Sequence, residues 1–158
     1  MAGQSLDEID RAILHCLQEN ARENTNAAIS ERVSVSASTV GKRIARLEDN
    51  GVIDGYHSTI DYEEAGFPMQ VLFICSAGIA DREALIEETL GLDAVVNVRE
   101  LMTGKQNVHI LVVGSSKRDI TRIAHELDTL GYVVTDEILL REEYARPCIH
   151  FDSTLPVE

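Results

Sequence analysis

The sequence predicts an α+β protein with a helical N-terminal part and a βαββαβ part after it. Apolar residues recur at helical spacing up to Asn50, whereas runs of strand length and alternation come only after Gly55. Between the two parts lies a short segment with Gly66 and Pro68, which is typical of a linker. A chain of 158 residues is long enough for two small domains.

Capping signals divide the N-terminal part into three helices. Asp7 can cap a first helix, because its carboxylate can accept from a free N–H group of the first turn. The apolar face of that helix ends near Asn20. Thr25 or Asn26 can cap a short second helix. The segment Ser34 to Ser36 is then a tight turn into a third helix.

The third helix is amphipathic. Ser36 is a good N-cap, and Gly51 suits the C′ position because glycine adopts the left-handed conformation without a Cβ clash. An apolar stripe follows the i, i+4, i+7 rule with Val40, Ile44 and Leu47. The opposite side of the helix carries two hydroxyls and two cations, namely Ser38, Thr39, Lys42 and Arg46. Such a face can donate to phosphates and base edges, and the short preceding turn predicts a helix-turn-helix.

The charge is unusual for a protein that binds nucleic acid. The chain has 27 acidic and 14 basic residues, a formal charge of −13, whereas DNA-binding domains are usually basic. The cations Lys42, Arg43 and Arg46 nevertheless cluster on the third helix. An acidic, lysine-poor composition suggests molar salt, where the Debye length is about 3 Å and distant carboxylates repel DNA weakly. The alternative is that the chain binds no nucleic acid, and the third helix is an ordinary surface helix.

The segment after the third helix alternates apolar and polar residues at Tyr56, Ser58 and Ile60. This alternation predicts a strand that serves as a wing or a connecting arm. The predicted organisation is therefore a helix-turn-helix domain over 1–55, a connecting strand and linker over 56–68, and a βαββαβ domain over 69–158.

The βαββαβ order rests on four strands and two helices. Strands are predicted over 70–77, 94–101, 108–114 and 132–140. Asp81 and Ser116 are the expected N-caps of the helices, and Gly131 ends the second helix. The order predicts a four-stranded antiparallel sheet with both helices on one face. Because about 80 residues with one uncovered sheet face are hard to stabilise alone, we expect dimerisation through that face.

The sequence lacks the features of membrane proteins, secreted proteins, metalloproteins and enzymes. It has no apolar run long enough to span a membrane and no signal peptide at its start, so we expect a cytoplasmic protein. Its three cysteines, Cys16, Cys75 and Cys148, lack zinc-site spacing, so we expect no metal and no cofactor. No nucleophile–base motif or phosphate-binding glycine loop is present, which argues against an enzyme.

Three features together resemble the Lrp/AsnC, or feast/famine, family of transcriptional regulators. They are the motif L-D-E-I-D-R-A-I-L from Leu6 to Leu14, the stretch from Val33 to Tyr56, and the βαββαβ order from Met69 onward. The resemblance implies a winged helix-turn-helix followed by a ferredoxin-like effector domain, also called a RAM domain. It implies a homodimer, extending in some members to an octamer, that binds double-stranded promoter DNA. With the acidic composition, we expect a halophilic archaeon as the source.

The resemblance also implies the site residues. The DNA contacts would be Ser36, Ser38, Thr39, Lys42 and Arg46. Arg43 lies at the flank of that face and could instead pair with an acid of the first helix such as Asp10. The effector, typically an amino acid, would bind near the loop between the second and third strands of the sheet, which here comprises Thr103, Gly104, Lys105, Gln106 and Asn107.

One residue of that loop departs from the family's pattern. Asn107 replaces the usual acidic residue, and an amide hydrogen-bonds an ammonium group without pairing its charge. Lys105 would instead suit a carboxylate or another anion. The alternative interpretation of the loop is a solvated hairpin turn.

Two other functions are compatible with the same scaffold. Sirohaem decarboxylases resemble this two-domain family, but they would need basic residues to hold a polyanionic substrate, and the chain after Tyr62 is net acidic. The second alternative is a protein that has lost DNA binding and acts as a heteromeric partner of related regulators. The cations Lys42 and Arg46 argue against it.

Overall fold

The computed structural model describes residues 5–80 and 82–152, which form two compact units. The first unit contains the described residues up to Ser58 together with those from Tyr144 on, and the second contains Thr59–Glu143. Each unit has its own hydrophobic core. The predicted N-cap Asp81 lies outside the described residues.

Three helices form most of the first unit, at the places that the sequence predicts: α1 (Glu8–Asn20), α2 (Asn26–Val33) and α3 (Ala37–Asp49). Their N-caps are Asp7, Thr25 and Ser36, and each side chain accepts a backbone N–H from the first turn. Asp7 forms a complete capping box with Asp10. The capping predictions for all three helices are therefore confirmed, with Thr25 rather than Asn26 before α2.

The core of the first unit joins the three helices. Ile13, Ile29, Val40 and Leu47 are all 0% exposed, and Ile44 is half-buried against them. The apolar stripe of α3 thus faces inward, which leaves its polar side outward. Fully burying one such side chain stabilises a fold by about 1.5–3 kcal/mol, so four of them are a large part of what holds a small unit together.

Two residues with positive φ shape the ends of α2 and α3. Gly51 has φ 68° after α3, which confirms its predicted C′ role. Ser34 has φ 56° at the end of α2, and among the described residues it is the one non-glycine with positive φ. A left-handed conformation costs a non-glycine residue roughly 1–2 kcal/mol. The turn into α3 therefore keeps Ser34 in a backbone conformation that is unfavourable for a residue other than glycine.

The C-terminal residues of the described chain belong to the first unit. A short 3₁₀ helix, Ile149–Phe151, lies on α1, and Phe151 packs against the helical core. The backbone N–H of Cys148 donates to Oε1 of Gln18 at 3.0 Å. The predicted sheet domain extended through this segment, but the structure divides the chain before Tyr144, and Phe151 is partly buried against the helical core.

The strand predicted at 56–60 is not formed. Residues 54–60 have no regular structure and are exposed, with Tyr56 at 49% and Ile60 at 48%. A strand requires a neighbouring strand that bonds to its backbone, and residues 54–60 pair with none in the described parts of this chain.

The second unit has the predicted βαββαβ order. Its elements are β1 (Met69–Ser76), α4 (Arg82–Leu90), β2 (Val95–Glu100), β3 (Val108–Gly114), α5 (Lys117–Leu130) and β4 (Val133–Leu139). The strands form one antiparallel sheet in the order β2-β3-β1-β4. The predicted fold class, α+β with a ferredoxin-like second part, is confirmed.

The two faces of this sheet differ. On one face Phe73 and Ile110 pair across β1 and β3 and pack against Ile123 and Leu127 of α5. The opposite face presents Leu72 paired with Leu111, and Ile74 paired with His109. No helix within the described ranges combines the length and apolarity needed to cross a membrane.

Candidate nucleic-acid interface

The N-terminal turn of α3 uses two of the predicted site hydroxyls internally. Oγ of Ser36 accepts from the backbone N–H of Thr39 at 3.1 Å, and the two hydroxyl oxygens are 2.8 Å apart. Ser38 is exposed. Ser36 and Thr39 therefore build the start of the helix, and the Ser38 hydroxyl remains available on the surface.

Lys42 is an exposed cation on the outer side of α3. Within the residues that the structure describes, it forms no salt bridge. Its ammonium group is therefore available to a phosphate without breaking an internal contact.

Arg43 and Arg46 both contact the buried carboxylate of Asp10. Nη1 of Arg43 donates to Oδ1 of Asp10 at 2.8 Å, and Nη2 of Arg46 donates to both Asp10 oxygens at 2.7 Å. The alternative pairing expected for Arg43 is thus present in the structure. The sequence did not predict the contact of Arg46 with Asp10. The helical periodicity indicated only that Arg46 lies on the side of α3 opposite the apolar stripe.

Arg43 is the more enclosed of these two arginines. Its side chain is 22% exposed, against 50% for Arg46. Arg43 also donates to both carboxylate oxygens of Asp7 at 2.8 and 2.7 Å. This hydrogen bond lowers the pKa of Asp7, and the same contact with Asp7, followed by that with Asp10, raises the pKa of Arg43. Arg43 is therefore tied to α1, while half of Arg46 remains at the surface.

A second contact follows the end of α3. The hydroxyl of Tyr56 donates to Oε1 of Glu48 at 2.8 Å. Partial burial of Tyr56, which is 49% exposed, together with this hydrogen bond to Glu48, raises the pKa of Tyr56 to about 12. The sequence offered no signal for the contact, since the two residues lie on either side of the helix end.

The loop from Thr103 to Asn107 is fixed by Asn107. Its Oδ1 accepts from the backbone N–H of Ala77 at 2.9 Å, and its Nδ2 donates to the Ala77 carbonyl at 3.0 Å. The amide therefore bonds to the backbone of a neighbouring segment. An aspartate could not reproduce this pair of bonds, because an ionised carboxylate only accepts.

Two further bonds hold the same loop. Oγ of Ser76 donates to the carbonyl of Lys105 at 2.6 Å, and Nε2 of Gln106 donates to Oγ1 of Thr135 at 3.2 Å. Gly104 takes φ 101°, a conformation that favours glycine. Thr103, Gly104, Lys105 and Gln106 are exposed. Lys105 is the one charged side chain of this loop.

The other polar groups form no metal or thiolate site within the described residues. No cluster of three or more metal-ligating side chains occurs there. Burial raises the pKa of the Cys75 thiol to about 11 and also raises the pKa of Cys16. Both thiols are therefore protonated at neutral pH, as expected of core cysteines. A cavity of about 70 Å³ beside His15 and Cys16 has room for little more than water.

Comparison with known proteins agrees with this geometry. A family model described as a winged helix-turn-helix DNA-binding domain matches residues 6–54. The chain is 34% identical over 121 residues to an uncharacterized HTH-type transcriptional regulator, PH0140, of Pyrococcus horikoshii, covering 77% of this chain and 75% of the relative. It is 33% identical over 137 residues to the HTH-type transcriptional regulator Ptr1 of Methanocaldococcus jannaschii, covering 84% and 82%.

Solved structures share the whole fold. The crystal structure of MtbAldR superposes with a TM-score of 0.73 at 27% identity, covering 90% of this chain and 99% of the other. LrpC of B. subtilis gives a TM-score of 0.75 at 19% identity, with coverage of 90% and 99%.

The fold and the relatives together define a DNA-binding transcriptional regulator with a winged helix-turn-helix. The chain belongs to the Lrp/AsnC family. The relatives are regulators and not enzymes, so the decarboxylase alternative is not supported.

The role of Asn107 gives a testable consequence. Asn107→Asp should lower the free energy of unfolding by about 1–3 kcal/mol at neutral pH, because a carboxylate would face the Ala77 carbonyl without a donor. Acid should restore part of this loss, because protonation returns one donor. The measurement is urea unfolding of both proteins at neutral and mildly acidic pH.

Gln106→Glu is the matched control in the same loop. Its bond to Thr135 is exposed, so the same amide-to-acid change there should cost under about 1 kcal/mol. Equal losses for the two variants would show that the Asn107 bridge does not hold the loop.

Proposed function

We propose that this regulator reads its operator as a homodimer, with α3 of each subunit in the major groove, and that a small anionic effector binds near Lys105. The observation that carries the proposal is the outward face of α3, where Lys42 is unpaired among the described residues and Arg46 is half-exposed. At 13 residues, α3 is roughly 20 Å long, which suits a groove about 12 Å wide.

The proposed DNA-contacting residues have different tasks. Lys42 and the exposed part of Arg46 supply positive charge, and Ser38 supplies a free hydroxyl. Ser36 and Thr39 lie at the N-terminal turn of α3, where Ser36 caps the Thr39 N–H and the remaining N–H groups favour a phosphate. Arg43 holds α3 against the start of α1, because it is bound to Asp7 and Asp10.

The acidic surface fits a cytoplasm with high salt, and we propose a halophilic archaeal source on that basis. When the Debye length is about 3 Å, exposed acidic residues that lie farther than that from the DNA repel it weakly. Lys42 and Arg46 would meet phosphates directly and remain effective there. Binding in molar KCl is the behaviour that this proposal requires.

Dimerisation is proposed through the sheet face that the helices of the second unit leave open. Leu72, Ile74 and Leu111 lie on that face, and Ile138 extends it across β4 with 45% of its surface exposed. A second copy covering this face would give the assembly two α3 helices, and we propose that both contact one duplex. Half-sites about 34 Å apart, one helical turn, would then be contacted together. Association of dimers into an octamer is a further step that the family resemblance implies.

An amino acid or another small carboxylate is the proposed effector. Lys105 is exposed and can pair with a carboxylate, whereas the amide of Asn107 is already bonded to Ala77. A structural neighbour from Neisseria meningitidis, at 24% identity, was solved as a complex with L-Met. An effector that binds only one assembly of subunits would shift the protein toward that assembly, and thereby change its DNA affinity.

The DNA-binding face is tested by Lys42→Ala. We expect affinity for an operator duplex, enriched from a random pool by the wild-type protein, to fall about 5–10-fold. The dependence of log K on log[KCl] should become shallower by about 0.9, because one phosphate contact is lost. Fluorescence anisotropy from dilute to molar KCl measures both quantities.

Lys117→Ala is the matched control, since Lys117 is an exposed lysine at the start of α5 in the second unit. It should change neither quantity. An unchanged slope for Lys42→Ala would remove α3 from the interface, and failure of the wild-type chain to enrich any sequence would favour the partner protein that lacks DNA binding.

The dimer face is tested by Leu111→Asp. A carboxylate on this face should convert the dimer to a monomer at micromolar concentration, because it would be buried without a partner at the interface. Light scattering after size exclusion gives the mass. Leu90→Asp, at an exposed position that ends α4, should leave the mass unchanged. A dimer that persists in Leu111→Asp would refute this interface.

A further inference from the structure

The carboxylate of Asp10 is shared by two arginines of the proposed DNA-binding helix. Its side chain is 2% exposed, and it accepts from Nη1 of Arg43 and from Nη2 of Arg46. Both Asp10 oxygens lie 2.7 Å from Nη2 of Arg46. The buried carboxylate of Asp10 therefore binds both Arg43 and Arg46.

The two arginines are not equivalent partners. Arg43 is mostly enclosed and has Asp7 as a second carboxylate partner. Arg46 is half-exposed, and the two hydrogen bonds that join its side chain to Asp10 both use Nη2. A buried carboxylate must keep a compensating cation. Because Arg43 supplies that cation, Arg46 can share its charge with a ligand without leaving Asp10 uncompensated.

We propose that Asp10 is a positioning residue for DNA recognition, which holds one nitrogen of Arg46 so that the remaining donors of its guanidinium are directed to the duplex. This inference rests on the proposed function of α3. A long side chain that is already fixed loses less conformational freedom when it binds. A fixed planar guanidinium also discriminates between arrangements of acceptors, whereas a freely rotating one contacts any phosphate.

The test compares wild type with Asp10→Asn, which retains the size of the side chain and one acceptor oxygen. Two duplexes of about 30 bp are used, long enough for two half-sites one turn apart. One is enriched from a random pool by the wild-type protein, and the other is its scrambled counterpart. Anisotropy titrations over a range of KCl concentrations give the affinity and salt slope for each.

The freed Arg46 of Asp10→Asn should bind phosphates without regard to sequence. We expect the ratio of affinities, enriched over scrambled, to fall about 3–10-fold. The salt slope for the scrambled duplex should steepen by up to about 0.9, the increment for one additional phosphate contact. Equal loss of affinity for both duplexes at unchanged slope would show that Asp10 has only a structural role, and would overturn the proposal.

Two further variants separate positioning from folding. Asp7→Asn is the matched control, because Asp7 contacts Arg43 rather than Arg46 and asparagine is an equally good N-cap. It should leave ratio and slope unchanged. In an Arg46→Ala background, Asp10→Asn should no longer alter the ratio, since neighbouring residues that act together give non-additive effects. Persistence of the effect without Arg46 would overturn the proposal.

The same experiment distinguishes this inference from the function on which it rests. If the wild-type protein enriches no sequence, the proposed function fails and the inference fails with it. If it enriches one and Asp10→Asn keeps the wild-type ratio, the inference alone fails.

Discussion

The ion-pair cluster around Asp10 is the constraint on which the helical unit depends. The Asp10 carboxylate is buried, and removing the partners of a buried charge typically costs about 3–5 kcal/mol. The same residue closes the capping box of α1, since its N–H donates to Oδ1 of Asp7 at 2.8 Å. Asp10 therefore takes part both in the N-terminal cap of α1 and in the contacts that hold α3 against α1. Two of the cations on α3, Arg43 and Arg46, thus hold this helix against α1.

A different constraint governs the second unit, where two helices cover one face of a four-stranded sheet. The buried hydroxyl pair of Thr89 and Tyr132, 2.9 Å apart, joins α4 to the start of β4 within that covered layer. The opposite face is packed by no helix among the described elements, and Ile138 on it is 45% exposed. The proposed regulation by assembly would use this face, because a second subunit could cover it. The loop beside Asn107 is held by the sheet, so a ligand there would meet a formed surface.

The fold was largely predictable because its signals are local. Caps such as Ser36 and the stripe of Val40 and Leu47 lie within one helix, and strand order follows from apolar runs. The site contacts are different: Arg46 and Asp10 are 36 residues apart, and Asn107 and Ala77 are 30 residues apart. Periodicity places a side chain on a face of its own helix, but it does not identify a partner on another element.

Two departures from prediction have the same physical origin. The strand expected at 56–60 had the right alternation, but pairing depends on a neighbour that this chain does not supply in its described parts. Phe151 had no periodic context, yet it packs on the helical core. In both cases the outcome depends on what lies nearby in space. The pairing of Arg43 with Asp10 could be expected as an alternative. The predicted N-cap Asp7 places Asp10 in the first turn of α1, where it is a possible partner for a cation.

The placement of α3 in the major groove is tested most directly by dimethyl sulfate protection of an enriched operator bound by the 158-residue chain. Guanine N7 lies in the major groove and adenine N3 in the minor groove, so the reagent reports which groove is occupied. We expect protection of guanine N7 in two patches about one helical turn apart. Protection confined to adenine N3, or a single patch for an intact dimer, would contradict the placement of α3 in the major groove.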